Sequence, residues 1–231
     1  MGLDHTTIAF DLDGTLVDSA PDLLRALNVV IAEHGLGPVD ALGMRAWVGH
    51  GARAMIVRGF ANEEAPLDPN LLPALTERFI AVYAADIASA SKPFDGVTAC
   101  LAELRAAGAR LVVCTNKRTS LANALLDALE LTTWFDTVIG ADMAPRRKPD
   151  ASHVMAAIAP CPPALAILVG DTSTDVLAAR AAGVGAIVLK HGYSPIPVDR
   201  LGADAVLDHP GAVFPTAQRM IERRCAPATP R

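Results

Sequence analysis

Short, continuous apolar runs recur along the chain, separated by segments whose apolar residues fall every three or four positions. The runs cover residues 7–12, 110–115, 137–140, 166–170 and 186–189, with 205–207 as a weaker candidate. An apolar run without alternation suits a strand covered on both faces. Between the runs, 96–107 sets Val97, Leu101 and Leu104 on one stripe, and 121–131 carries Leu121, Leu125 and Leu129 four apart. Segments 150–159 and 174–182 follow the same rhythm. Strands alternating with helices predict an α/β fold, a parallel sheet with helices on both faces.

One stretch breaks the rhythm. Nearly a hundred residues separate the first run from the second, far more than a simple crossover needs. This stretch has helical period. Asp18 or Ser19 can cap a helix with Pro21 near its start. Leu23, Leu27, Val30 and Ile31 form its apolar face, and Gly35 ends it. Further helices are expected over 41–48, 52–60 and 71–88. The pattern predicts a helical cap domain over 18–92, inserted into a core built from 1–17 and 93–231. Lys92-Pro93-Phe94-Asp95-Gly96 is the expected return hinge. The tail from Cys225 to Arg231, with Pro227 and Pro230, is expected to fray. No internal repeat or low-complexity tract is present.

Composition narrows the function classes. Hydrophobic residues make up 52% of the 231, enough for a sizeable core. The formal charge of −5 comes without a basic tract, which argues against nucleic acid or a membrane as partner. Cys100, Cys114, Cys161 and Cys225 show no metal-ligand spacing and no redox pair. Free thiols suit a reducing cytosol. The first strand begins too close to Met1 for a signal peptide. A cytoplasmic protein is therefore expected.

The chemistry concentrates at strand ends. Phe10-Asp11-Leu12-Asp13-Gly14-Thr15 puts two acids at the end of the first run, and side chains two apart on a strand share a face. Open parallel sheets bind ligands at that edge. An Asp-Gly turn explains Gly14 but not two acids behind an apolar strand. Gly170-Asp171-Thr172-Ser173-Thr174-Asp175 repeats the arrangement, though helix capping alone would also account for it. On one edge Asp11, Asp13, Asp171 and Asp175 would converge, and such a cluster requires a cation. All-oxygen ligands suit Mg²⁺. Thr115 and Asn116 could hold phosphate oxygens at a helix start, or serve as an ordinary cap. Lys148 precedes Pro149 and another helix, where a solvated lysine is the plain alternative.

In this order, the four pieces resemble the haloacid dehalogenase superfamily of phosphohydrolases over nearly the whole chain. The resemblance implies a Rossmann-like core with the 18–92 segment as its cap. It implies Asp11 as the nucleophile that accepts the phosphoryl group, and Asp13 as the acid and later the base. Thr115, Asn116 and Lys148 would bind the phosphate, with Lys148 also steadying the nucleophile. Mg²⁺ would be held by the Asp11 carboxylate, the Asp13 backbone carbonyl and Asp171. Asp175 would be a ligand through water or a partner of a ligand.

Softer motifs bear on the substrate. Trp47-Val48-Gly49-His50-Gly51-Ala52-Arg53, Phe94-Asp95-Gly96-Val97 and His191-Gly192-Tyr193 resemble bacterial phosphoglycolate phosphatases. Gly49 and Gly51 would let the loop approach the site, and His50 and Arg53 would then meet the carboxylate of 2-phosphoglycolate; a turn residue at His50 and a solvated Arg53 on a helix are the plain alternatives. The expected activity is a Mg²⁺-dependent phosphoric monoester hydrolase acting on a small phosphorylated substrate, as a monomer or homodimer. Sugar-phosphate or pyrophosphate phosphatases, a β-phosphoglucomutase-like transferase and a non-catalytic binding module are the rival readings. A haloacid dehalogenase proper has no use for Asp13 and Asp171. A phosphonate hydrolase needs a cap lysine, and none lies between Thr15 and Ser91.

Overall fold

The computed structural model describes residues 2–225. β1 (Thr7–Phe10) opens the chain and a short β2 (Val17–Asp18) follows. Next come α1 (Ala20–Ala32), α2 (Ala41–Arg45), α3 (Ala52–Asn62) and α4 (Leu72–Ala85), after which β3 (Lys92–Pro93) returns the chain. Then α5 (Val97–Ala106), β4 (Arg110–Cys114), α6 (Thr119–Ala128) and β5 (Thr137–Ile139) alternate. They are followed by α7 (Ala151–Ile158), β6 (Ala166–Gly170), α8 (Ser173–Ala182), β7 (Gly185–Leu189), β8 (Ala205–Leu207) and α9 (Val213–Cys225).

The main sheet is six-stranded, in the order β5-β4-β1-β6-β7-β8. Every pairing in it is parallel. Alternation along the strands sorts side chains between two helical layers. Ile8 and Phe10 join Leu111, Val113, Ile167 and Val169 beneath α5, α6 and α9. Ala9, Val112, Cys114 and Leu168 face the other way, onto α7 and α8. Both faces are dry, which is why these strands read as unbroken apolar runs. Truncating a fully buried leucine such as Leu111 to alanine would cost about 2–5 kcal/mol.

Helices α1 to α4 build a second apolar cluster of their own, in which Leu27, Ile31, Ile56, Phe60, Phe79 and Tyr83 are buried. The Lys92–Gly96 hinge contains a strand that the pattern does not show. β2 and β3 pair antiparallel, Val17 against Pro93 and Asp18 against Lys92. Two residues are too few to display a period. Ser19 stands at the N-cap of α1 without capping it, because its hydroxyl donates instead to Asp13. The helix expected over 41–48 stops at Arg45, since Gly49 and Gly51 turn the chain with φ of 86° and 85°. α9 was not foreseen; Val213, Thr216, Ala217 and Ile221 form its buried stripe. The tail expected to fray lies, beyond Cys225, outside the described residues. No helix among the described residues is long and apolar enough to cross a membrane.

Candidate active site

Register decides where the acids meet. Phe10 pairs with Val113 on one side and Val169 on the other. The chain therefore leaves three adjacent strands at the same edge, through Asp11, Thr115 and Asp171. Each of Asp11, Asp171 and Asp175 offers an oxygen within 4.8 Å of the others, and all three are buried. Burial pushes the Asp11 carboxyl up to about 6, against the pull of Lys148, with Asp175 and Asp13 adding to the rise. Burial also raises Asp171 well above the carboxylate range, and Asp175 and Asp11 reinforce it. These acids resist ionisation together, the electrostatic signature of a site that takes a cation. The donors are oxygen alone, so the set fits a hard divalent ion such as Mg²⁺.

The acids are not equally free. Asp171 accepts bonds from Thr15 Oγ1 at 2.9 Å and from the Tyr193 amide at 2.7 Å. Gly192 makes this approach possible, since a Cβ there would lie 2.2 Å from the Asp171 Cβ. One oxygen of Asp175 accepts from Lys148 Nζ at 2.7 Å. The other accepts from Thr172 Oγ1 at 2.9 Å and from the Thr172 amide at 3.1 Å. Burial would raise Asp175, but Lys148 and the Thr172 bonds outweigh it and hold the group ionised. Asp171 and Asp175 thus each have both oxygens engaged by donors of the protein, and of the two only Asp175 is ion-paired with Lys148.

Lys148 is buried with its ammonium 3.0 Å from Asp11 Oδ1. Burial opposes its charge, yet Asp11 and Asp175 hold its pKa above the ordinary lysine range. His153 anchors the backbone here. Its Nδ1 accepts from the Lys148 amide at 3.1 Å, and its Nε2 faces the Ile139 carbonyl at 3.1 Å. Burial and then Lys148 lower its pKa to about 4, so the ring is neutral and its tautomer is fixed by these two partners.

Asp13 leaves the cluster of acids. Its carboxylate meets Lys117 Nζ at 2.9 and 3.0 Å and accepts from Ser19 Oγ at 2.5 Å. Four side-chain carboxylates therefore do not converge; three do, and the fourth has a lysine of its own. Asp11 and Asp13 share a cavity of about 200 Å³ with Thr115, Asn116 and Lys117. The lobe supplies the facing wall, including Gly49, Arg53, Met55, Phe79 and Tyr83. Thr115 is buried beside the acids, and its Oγ1 accepts the Lys117 amide at 3.2 Å. Asn116 Nδ2 bridges the two halves, donating to the carbonyls of Gly49 and Lys148, each at 3.1 Å.

Gly49 and Arg53 thus line the cavity, Arg53 from an exposed position. His50 is not among the lining residues. Its carbonyl accepts from Arg147 at 3.0 Å, while burial and then Arg58 and Arg147 lower the pKa of its ring. Lys117, His153 and Tyr193 carry contacts that the sequence reading did not assign. Lys117 follows Asn116 directly and could have been suspected from that position. His153 looks like any helical residue until the fold sets it under Lys148.

Comparison with known proteins agrees with this geometry. Residues 8–189 match the family model described as Haloacid dehalogenase-like hydrolase. The phosphoglycolate phosphatase of Caulobacter vibrioides is 53% identical over 207 residues, covering 89% of this chain and 87% of that protein. The phosphoglycolate phosphatase of Agrobacterium fabrum is 41% identical over 222 residues, covering 95% of each. Among solved structures, a predicted phosphoglycolate phosphatase from Haemophilus somnus superposes with a TM-score of 0.86 at 27% identity. It covers 94% of this chain and 100% of that one.

Proposed function

The chain belongs to the haloacid dehalogenase-like hydrolases and is a phosphoric monoester hydrolase, and on that premise we propose that it hydrolyses 2-phosphoglycolate to glycolate and phosphate. The names of its relatives support the substrate. The buried meeting of Asp11, Asp171 and Asp175 beside Lys148 is the observation that carries the chemistry.

Asp11 is the nucleophile. Its free oxygen attacks phosphorus, the bond to the leaving oxygen breaks, and an aspartyl phosphate forms. Water then attacks that phosphorus and restores the carboxylate. Two easier displacements replace one difficult hydrolysis. Asp13 lines the same cavity and moves the protons, first to the leaving oxygen and later from the attacking water. Lys148 neutralises charge that would otherwise repel an anionic ester from an anionic nucleophile. Thr115 holds a phosphoryl oxygen, while Asn116, with both amide hydrogens given to the Gly49 and Lys148 carbonyls, fixes the loop over the site. Mg²⁺ would be held by the Asp11 and Asp171 carboxylates and the Asp13 carbonyl. When bound it supplies positive charge to the phosphoryl oxygens. Asp175, with both oxygens engaged, orients Lys148 and the Asp171 loop.

The lobe over 18–92 acts as a cap on the core of 1–17 and 93–231. Asn116 and Arg147 tie its loop down through the carbonyls of Gly49 and His50. A seated cap excludes water from the reacting phosphorus.

A panel of phosphate esters, assayed with Mg²⁺ and with excess chelator, tests the reading. Phosphoglycolate should lead the panel, and chelator should reduce turnover to background. Borohydride reduction of the enzyme during turnover should mark Asp11 in a peptide digest. Full activity in chelator, or a mark on another residue, overturns the mechanism. A preference for hexose phosphates overturns the substrate alone.

A further inference from the structure

Tyr83 is a buried polar group beside the reacting acids that the mechanism does not use. It lies on α4, is fully buried and lines the cavity shared with Asp11 and Asp13. Its hydroxyl hydrogen has no acceptor among the described residues, while its oxygen lies beside the Lys117 ammonium. Lys117 lies close, with Nζ 4.5 Å from the ring centroid. An ammonium has no lone pair, so nothing that Lys117 offers can accept the phenolic hydrogen. Burial keeps the phenol protonated by raising its pKa. A buried donor without an acceptor costs free energy that a ligand can return.

Lys117 has three N–H donors. It donates to both oxygens of Asp13, at 2.9 and 3.0 Å, and its remaining donor lies against the Tyr83 hydroxyl. Asp13 is its one ion-pair partner among the described residues, at 2.9 Å, and its side chain is only 5% exposed. A cation and an unmet donor thus sit together at the lobe side of the cavity, next to the proton-transferring acid.

We infer that Lys117 Nζ and Tyr83 Oη form the subsite for the substrate's second anionic group, a carboxylate on the leaving half of the ester. The inference rests on the phosphatase reading above and adds to it where the substrate's far end binds. Geometry favours a short substrate. Lys117 touches Asp13, and Asp13 must reach the ester oxygen, so the carboxylate falls within a bond or two of that oxygen. 2-Phosphoglycolate has that form. Exposed Arg53 stands at the wall and attracts the anion, while the buried pair holds it.

The probes are two non-hydrolysable phosphonates of similar size, 3-phosphonopropionate and propylphosphonate. Their inhibition constants are measured on the wild type and on Tyr83→Phe. The wild type should bind the carboxylate-bearing probe at least about tenfold tighter, as expected for a hydrogen bond to a charged group. Tyr83→Phe should reduce that preference by about tenfold. The substitution removes only a hydroxyl whose hydrogen has no acceptor, and an inhibition constant does not depend on the fraction of folded enzyme. Equal binding of both probes by the wild type overturns the subsite. A preference that survives in Tyr83→Phe also overturns it, and assigns the hydroxyl to a water molecule. Wild-type turnover of phosphoglycolate against ethyl phosphate is read separately. If that comparison shows no preference while the probe preference is present and falls in Tyr83→Phe, the subsite stands and the phosphoglycolate assignment falls.

Discussion

At the sheet edge, Asp171 and Asp175 are buried and every carboxylate oxygen has a donor, whereas across the cavity Tyr83 is just as buried and its hydroxyl hydrogen has no acceptor. The first region is complete before any ester arrives, apart from a cation. The second is complete only with an ester in place. The difference separates two tasks. Groups that react must already be in position, because reorganisation at the moment of reaction raises the barrier. Groups that select can be left unsatisfied, because a wrong ligand then forfeits the bond that the right one makes.

Variants on the two sides should therefore behave differently. Asp11→Asn should have the largest effect, lowering kcat by roughly 10⁴ or more on phosphoglycolate and ethyl phosphate alike. Steady-state assays on both esters check this, and a loss confined to one would blur the division. Asp13→Asn should lower kcat by roughly 10²–10⁴ on alkyl esters and by less on p-nitrophenyl phosphate, whose leaving group needs little protonation. Equal losses on both would remove its role as proton donor.

The pH response of the metal-free protein sharpens the same contrast. Folding raises Asp11 to about 6 and raises Asp171 well above its ordinary value, so both favour the neutral form. The Asp11 contribution to stability is present at low pH and is lost as pH rises through about 6, and that of Asp171 changes in the same direction. Mg²⁺ requires the ionised form, so protons compete with it below that point. Scanning calorimetry should show a larger Mg²⁺-induced rise in Tm at about pH 7.5 than at about pH 5. The reverse order would contradict the cluster as the metal site.

Arg53→Ala should have the smallest effect. The side chain is exposed, so salt screens its attraction for a carboxylate. A fall of a few-fold in kcat/KM for phosphoglycolate at low salt should vanish at high salt. A loss that persists in high salt would place Arg53 in direct contact with a dehydrated substrate.

The sheet was legible because its strands are dry on both faces and carry no competing period. Asp11 and Asp171 were legible because each directly follows such a strand. Lys117 was not, because its importance depends on Asp13 turning away from the acids beside it. Tyr83 was hidden for another reason. It reads as one more apolar position of an amphipathic helix, and only the fold shows that the residue lines the cavity with its hydroxyl hydrogen unmet. His50 shows the opposite case. A histidine between two glycines in a loop looks poised to bind, yet the loop faces the cavity with its glycines and bonds through its carbonyls.

The short pairing of β2 with β3 has a consequence for inheritance. It sets the entrance and exit of the inserted segment side by side, just beyond the central strand of the sheet. Any segment whose ends meet at that spacing, and that keeps a donor where Ser19 meets Asp13, could be grafted there without disturbing a strand or a register. The hydrolytic machinery and its client list can therefore diverge at different rates. One is fixed by six neighbouring strands, and the other is carried on a detachable loop of chain.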